Sequence, residues 1–296
     1  LDVRPLPDWE TLPYDVLSPQ EELVSERLEA LYRLTAPTGG ADVLLTSAVT
    51  ASQRLSPVSY IGANTFFFHQ GEQISLTTLQ KRLAAAGYAN VKQVLAAGEF
   101  AVRGSIVDVF PMGSERPFRL DFFDDEIESI RWFDVDTQRS MESAEEIRLL
   151  PGHEFPVDPE ALLAFRQRWR REFAGDPKKS IVYCDIEKEI LPPGIEYYLP
   201  LFFDETAALT DYLPPNARVF LLGDIEAALQ AFGRDMASHY KVLAADPQRP
   251  ALAPERIWLK PEEFFKSLAN FARFTVEEKE NAEDLKRLTG IEVDRK

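Results

Sequence analysis

The sequence has few of the residues that form covalent cross-links and metal centres. Its 296 residues include one cysteine, Cys184, and three histidines. One thiol excludes an internal disulfide framework and is typical of a reducing compartment, so we expect a cytoplasmic protein. His69, His153 and His239 lie far apart, and none has a second ligand at metal-like spacing. The sequence therefore predicts no metal site.

Long apolar segments are also missing. The chain has neither a run of about 18 apolar residues nor a signal-peptide pattern, so membrane insertion and secretion are not expected. It begins at Leu1 without a methionine, which suggests a fragment of a longer protein. Its length and its 45% hydrophobic content are sufficient for one large domain or for two.

Basic residues are outnumbered. The chain has 33 lysines and arginines against 49 aspartates and glutamates, which gives a formal charge of −16. Proteins that bind duplex DNA draw most of their affinity from cationic side chains that neutralise phosphates. The composition therefore argues against direct DNA binding by this chain and favours protein partners.

The sequence has no phosphate-binding signature. The pattern G-x-x-x-x-G-K-[ST] does not occur, and the turn at Thr38-Gly39-Gly40 lacks the lysine. Asp224 follows a predicted strand where a magnesium ligand could stand, but an N-cap for the next helix is the commoner use of aspartate there. Cys184 lies in a predicted apolar strand, without a nucleophile signature. We predict no catalytic site and no cofactor in this chain.

The most informative stretch runs from residue 99 to residue 134. It predicts three strands, separated by a proline- and glycine-containing loop and by an acidic turn: Phe100 to Phe110, Phe118 to Phe123, and Ile127 to Phe133. The acidic turn, Asp124 to Glu126, is typical of a solvated hairpin tip rather than of a metal site.

The middle strand carries a distinctive alternation. Successive side chains of a strand point to opposite faces, so we expect Phe118, Leu120 and Phe122 to face a core. Arg119, Asp121 and Phe123 then face water, and Arg103 on the preceding strand can join them. An exposed aromatic side chain flanked by arginines is typical of a protein-binding hot spot. The alternative is an ordinary sheet surface with cross-strand ion pairs and a half-buried phenylalanine.

The rest of the chain alternates helices with strands, which predicts an α/β fold with mostly parallel strands. A capping box at Ser18 to Glu21 opens a helix that runs to Leu34. The other predicted elements are strands at Asp42–Ser47, Asn64–Gln70, Arg218–Leu222 and Arg256–Leu259, and helices starting at Ala48, Ser75, Ala161, Ile225 and Pro261.

Three further interpretations concern one histidine, a group of four aromatic residues and the C-terminal tail. His153 is interpreted as a hydrogen-bonding residue at a domain junction. The aromatic residues at 197, 198, 202 and 203 lack surrounding lysines and arginines, so core or interdomain packing is favoured over base stacking. The charged tail from Glu277 to Lys296 is expected to be loosely held.

The segments VRGSIVDVFPMGSE and PFRLDFFDDEIESIRWFD resemble the UvrB-like module at the N-terminus of bacterial transcription-repair coupling factors (Mfd). They resemble UvrB less closely. The segment PDWETLPYD and the proline- and aromatic-rich stretch 190–214 add to the resemblance. It implies a degenerate RecA-like (P-loop NTPase-like) domain in two halves, residues 1–62 and 151–296. A small α+β UvrA-binding domain, residues 63–150, would be inserted between them.

The resemblance also implies a function. Arg103, Arg119 and Phe123 would contact UvrA, with Asp121 beside them. The chain would be a noncatalytic adaptor that recruits UvrA to stalled RNA polymerase in transcription-coupled nucleotide excision repair. The parent protein would be an ATP-dependent DNA translocase. ATP, magnesium, DNA and RNA polymerase would bind its later domains, which would also make intramolecular contacts with this module.

A UvrB-type excinuclease subunit with ATP-dependent binding of damaged DNA is the alternative. It requires a P-loop and a long hairpin that inserts into DNA. The connection from Ser18 onward leaves no room for that hairpin. The resemblance therefore favours the coupling factor.

Overall fold

The computed structural model describes residues 1–36 and 40–276. Thr38 and Gly39 of the predicted turn and the charged tail lie outside the described residues. The first part of the chain forms a parallel strand pair with a crossover helix, followed by two short helices. Its elements are β1 (Val3–Leu6), α1 (Glu21–Thr35), β2 (Val43–Thr46), α2 (Ala48–Ser52) and α3 (Val58–Ala63).

The first helix does not begin at the predicted capping box. α1 starts at Glu21 after Gln20, whose side chain makes no capping hydrogen bond. The hydroxyl of Ser18 instead donates to Glu196 and accepts from the backbone N–H of Gly194. The prediction was wrong because the hydroxyl of this serine hydrogen-bonds to a distant segment of the chain rather than to the start of the helix.

The middle part is built from one helix and two sheets, one antiparallel and one mixed. β3 (Phe66–His69) pairs with β10 (Glu146–Leu149), which brings the start and end of this part together. α4 (Leu76–Ala85) begins at the N-cap Ser75, which accepts from Thr78 N–H, and ends before Gly87, whose φ is 90°. The remaining strands form one six-stranded sheet: β4 (Ala89–Asn90), β5 (Glu99–Arg103), β6 (Ile106–Val109), β7 (Phe118–Phe123), β8 (Glu126–Phe133) and β9 (Ser140–Ala144).

The predicted strand Phe100–Phe110 is in fact a hairpin. β5 and β6 pair antiparallel around Gly104 and Ser105, with Arg103 opposite Ile106. Gly104 has a φ of 64°, which only glycine adopts freely. The sheet has six strands where three were predicted. One is added because Arg-Gly-Ser is a tight turn rather than part of a strand, and the other two are the edge strands β4 and β9, on either side of the predicted stretch.

The last part is mostly helical. Its elements are α5 (Pro159–Glu172), α6 (Ile181–Glu187), α7 (Leu209–Tyr212), β11 (Arg218–Leu222), α8 (Ile225–Leu243), α9 (Pro254–Ile257), α10 (Pro261–Ser267) and β12 (Ala272–Val276). Two 3₁₀ helices, Pro177–Lys179 and Ile195–Leu201, complete it. β11 and β12 pair in parallel. The α/β class is confirmed, although the parallel pairs β1–β2 and β11–β12 form two separate sheets rather than one. A third parallel pair, β4–β5, lies at one edge of the six-stranded sheet.

Two strand predictions in this part were wrong. Cys184 lies in helix α6, where the hydroxyl of Ser180 caps the N-terminus by accepting from Tyr183 N–H. The segment Arg256–Leu259 begins inside α9, which Pro254 opens, and only Trp258 makes an isolated bridge to another segment. A short apolar run fits a strand and a buried helix equally well, so the residues at the start of the segment, such as a capping serine or a proline, determine which one forms.

Two large apolar cores stabilise the described part of the chain. One packs α1, α4 and the inner face of the six-stranded sheet, with Leu28, Leu79, Leu120 and Ile130 among its members. The other is rich in aromatic rings. It includes Tyr197, Tyr198 and Phe202, with Phe203 partly buried against it, so the prediction of core packing for these residues is confirmed. In the described residues, no helix is long and apolar enough to cross a membrane.

A buried ion pair ties the first helix to the exit of the middle part. Arg27 on α1 donates from Nε and Nη2 to the two carboxylate oxygens of Glu154, at 2.6 and 3.1 Å. Glu154 also accepts from the indole N–H of Trp9. Arg27 and Glu154 are 0% and 3% exposed. Burial of such a pair is tolerated only because its hydrogen bonds are satisfied.

His153 lies beside that ion pair and differs from its predicted role. Its backbone carbonyl accepts from the hydroxyl of Tyr60, while its ring stacks on Phe155 and is close to Gly87. No side-chain hydrogen bond of His153 is present among the described residues. The prediction of a hydrogen-bonding residue therefore holds for the backbone and was wrong for the imidazole, because the site around the ring is apolar.

This environment predicts a pH dependence of stability. Burial lowers the pKa of His153 from 6.5 to about 4. Because the folded pKa lies below the unfolded one, the stabilisation is present above about pH 6.5 and is lost as the pH falls toward 4. We expect His153→Phe to reduce the loss of unfolding free energy between pH 7 and pH 4.5 by about 1–3 kcal/mol.

The measurement is urea denaturation at a series of pH values. His239→Gln is the matched control, because His239 is exposed on α8 and its replacement should leave the profile unchanged. An equal pH slope in wild type and His153→Phe would contradict the prediction.

Candidate docking surface

Strand β7 presents one buried and one outward row of side chains. Leu120 and Phe122 are buried, and Phe118 packs against the same core from a partly exposed position. On the opposite face, Phe123 is 69% exposed. The alternation predicted from the sequence is confirmed for these four residues. We use the name docking surface for the four predicted contact residues, Arg103, Arg119, Asp121 and Phe123.

Phe123 stands at the end of β7, next to a tight turn. It pairs with Glu126, so Asp124 and Asp125 alone connect β7 to β8, and Asp124 adopts a φ of 51°. Both aspartates are exposed, as predicted for a solvated tip. The described residues contain no group of three or more histidine, cysteine or acidic side chains that could hold a metal.

A bulge in β8 lies just after this turn. Asp121 pairs with Ser129, but Phe122 pairs with Ile127, so Glu128 is the extra residue. A bulge increases the local twist and redirects the strand end. The large apolar ring of Phe123 is thereby held in solvent at the end of a rigid sheet, where burial against a partner would be favourable.

Arg119 is less exposed than the alternation predicted. Its side chain is 14% exposed, and its guanidinium lies 4.8 Å from the centre of the Phe133 ring. It donates to both oxygens of Asp108, to the carbonyl of Gln138 and to the hydroxyl of Ser140. The hydrogen bond to Asp108 raises the pKa of Arg119. The expectation that Arg119 faces water was wrong in degree, because β6, the segment before β9 and the first residue of β9 supply partners.

Asp108 is the residue of this site that the sequence analysis missed. It is 1% exposed on β6 and lies directly opposite Arg119. It also accepts a hydrogen bond from Nη2 of Arg103, whose side chain is 48% exposed. A carboxylate between Val107 and Val109 in a strand could have signalled a buried partner, because buried aspartates are almost always paired.

Asp121 adds a second acid to the site. Its carboxylate accepts from the hydroxyl of Ser129 at 2.8 Å. Together with Asp108, the docking surface has two arginines and two aspartates, whose formal charges cancel, while the adjoining turn adds the exposed acids Asp124 and Asp125. A cluster without net charge exerts little long-range attraction on a partner. Such a cluster selects among binding partners by the direction of its hydrogen bonds and by apolar contact.

The outward face of the sheet is open only in part. A small cluster of Val94, Ala101 and Phe133 covers the region next to Arg119. Phe123 and the outer part of Arg103 lie beyond this cover. The structure brings the four predicted residues to one face of β5 and β7, with Arg119 at its covered end and Phe123 at its exposed end.

Residues 66–155 match the UvrB interaction domain. The match begins with β3 and ends just after β10, so it contains the whole docking surface. The chain is 44% identical over 272 residues, 92% of its length, to the transcription-repair-coupling factor of Escherichia coli (strain K12). The chain is homologous to the transcription-repair-coupling factors.

Two further comparisons extend this result. The transcription-repair-coupling factor of Haemophilus influenzae is 44% identical over 277 residues, 93% of this chain. That of Bacillus subtilis is 32% identical over 216 residues, 68% of this chain. The chain spans 24% of the length of the first two transcription-repair-coupling factors and 18% of the third.

A cleft of about 380 Å³ lies where β1 and β2 end. Open α/β sheets commonly bind ligands at the carboxyl ends of their strands. The described residues that line this cleft include Asp8, Trp9, Gln53 and Trp258, and none of them is a lysine or arginine. Asp224 lies elsewhere and caps α8 by accepting from the N–H of Ala227, as the sequence predicted. The cleft is poorly suited to a phosphate.

Proposed function

We propose that this chain is the UvrA-recruiting adaptor module of a transcription-repair-coupling factor. The observation that carries the proposal is Phe123, 69% exposed at the end of β7, inside a segment that matches the UvrB interaction domain. A large aromatic side chain in solvent beside a partly free arginine has the composition of a binding hot spot.

The chemistry of the docking surface defines the partner it fits. Phe123 requires an apolar pocket, and the exposed part of Arg103 requires an acceptor such as a carboxylate. The chain as a whole carries a formal charge of −16, which is unfavourable for the phosphate backbone of DNA. These properties support a protein partner with an apolar pocket rimmed by acids, the role proposed for UvrA.

We also infer that residues 1–62 and 151–296 are the halves of a degenerate RecA-like domain that holds residues 63–150. The parallel pairs β1–β2 and β11–β12, each connected through helices, support this inference. The lining of the cleft at β1 and β2 supports a module without ATP, magnesium or catalysis of its own. ATP-driven translocation, DNA binding, RNA polymerase binding and intramolecular masking would belong to other domains of a cytoplasmic parent protein.

Calorimetric titration of this chain with purified UvrA tests the proposal. We expect saturable binding with a dissociation constant in the micromolar range or below. The same titration with duplex DNA in place of UvrA should give no saturable heat. Absence of UvrA binding at tens of micromolar of a correctly folded chain would refute the proposal.

A further inference from the structure

The two arginines of the docking surface differ in the hydrogen bonds that they have left to offer. A guanidinium has five N–H donors. Arg119 makes four hydrogen bonds within the chain, two of them to Asp108. One N–H therefore remains for any partner. Because its side chain is only 14% exposed, Arg119 is mainly held inside the sheet.

Arg103 makes one hydrogen bond, from Nη2 to Asp108, among the described residues. Four of its N–H groups are left, and 48% of its side chain is exposed. A guanidinium fixed through one nitrogen can still present two parallel N–H groups to an incoming carboxylate. Arg103 is thus the cation of this surface that has a free donor fork.

Asp108 connects the two arginines. At 1% exposure it is too deeply buried to touch a partner protein. Its Oδ1 accepts from Arg119, and its Oδ2 accepts from both Arg119 and Arg103. The Arg119–Asp108 pair is held by the register of β6 and β7, in which these residues are opposite each other. This rigid pair gives the flexible side chain of Arg103 a fixed anchor.

We propose that Asp108 is a positioning residue of the docking surface, which orients the free donor fork of Arg103 toward a carboxylate on the partner. The inference rests on the proposed function, since it specifies how the same surface binds. A long arginine side chain loses rotamer freedom when it binds, and an arginine already anchored loses less. The hydrogen bond from Arg103 to Asp108 is therefore expected to strengthen binding of the partner, and this gain should disappear when Arg103 is removed.

A double-mutant cycle tests the proposal, with Asp108→Asn, Arg103→Ala and their combination titrated with UvrA. We expect each single variant to weaken binding about tenfold, and the double variant to bind like Arg103→Ala alone. A merely structural role of Asp108 would give additive losses. Additive losses, or wild-type affinity of Asp108→Asn, would overturn the proposal.

A second measurement needs no partner. Phenylglyoxal modification, followed by peptide mass spectrometry, reports how freely each arginine side chain reacts. We expect Asp108→Asn to increase the reaction rate of Arg103 several-fold, while the rate of Arg171, which is exposed on α5 and outside the six-stranded sheet, stays unchanged. An unchanged Arg103 rate would refute the positioning role.

The two measurements separate the possible failures. If wild type does not bind UvrA, the proposed function fails, and the modification rates still decide whether Asp108 anchors Arg103. If Asp108→Asn does not fold, Arg119→Lys tests the same anchor. Lysine cannot hold both oxygens of Asp108, so the Arg103 modification rate should rise in that variant also. An Arg103 rate equal to that of wild type in folded Arg119→Lys would overturn the proposal.

Discussion

Replacing Phe123 by alanine is expected to weaken UvrA binding about tenfold or more. The ring is 69% exposed in the free chain, so its burial in a partner pocket removes apolar area from water. Complete burial of a phenylalanine side chain is worth about 1.5–3 kcal/mol, and each 1.4 kcal/mol corresponds to about a tenfold change in affinity. Isothermal calorimetry of the variant with UvrA measures the effect.

Phe67→Ala is the matched control for this variant. Phe67 is 42% exposed on β3, inside the same UvrB interaction domain but on the sheet formed with β10. The same chemical change there should leave UvrA affinity within about twofold, because interface energy is concentrated in a few residues. Equal losses for the two variants, or unchanged affinity of a folded Phe123→Ala, would remove Phe123 from the docking surface.

Glu154→Gln is expected to lower the free energy of unfolding by about 3–5 kcal/mol. The loss is large because the substitution leaves Arg27, the ion-pair partner of Glu154, buried without its counter-ion. Arg27 is 0% exposed and donates to both carboxylate oxygens of Glu154, so a neutral amide leaves a buried guanidinium charge without its counter-ion. Guanidinium chloride denaturation, analysed for both midpoint and slope, measures the loss if the transition remains two-state.

Glu172→Gln controls for the change of glutamate to glutamine in an ion pair near the surface. Glu172 forms an ion pair with Arg256, with 3.4 Å between Oε2 and Nη2, and the two side chains are 29% and 47% exposed. Water compensates such groups, so the expected loss is below about 1 kcal/mol. A loss below 1 kcal/mol for Glu154→Gln would show that Arg27 finds another partner, with Gln53 and the carbonyl of Pro7 as the nearest candidates.

Local chemistry explains why several predictions were confirmed. The helix α8 starts after Asp224 and α4 starts after Ser75, because each of these side chains caps backbone N–H groups three residues away. Strand β7 buries Leu120 and Phe122 and exposes Phe123 because a strand alternates every two residues. Interactions of this range are encoded within a few neighbouring positions, so a single sequence is sufficient to find them.

The wrong predictions share a different cause. Ser18 was assigned to a capping box, but it bonds to Gly194 and Glu196, far along the chain. The apolar pattern around Cys184 predicts a strand, but the same short pattern fits a buried helix equally well, and a helix forms. The pattern from Phe100 to Phe110 predicts one strand, but a turn at Gly104 divides it into two. In each case the structure depends on a hydrogen-bond partner, a helix cap or a turn that the pattern of apolar and capping residues does not include.

The sequence by itself determined the acidic character of the chain, its likeness to the UvrB-like module and the outward position of Phe123. Only the tertiary structure decided that Arg119 is mostly enclosed and that Asp108 joins it to Arg103. It also decided that Arg27 pairs with Glu154, 127 residues away. The physical reason is that a buried charge needs a partner, and which partner is near depends on the packing of whole strands and helices rather than on local spacing.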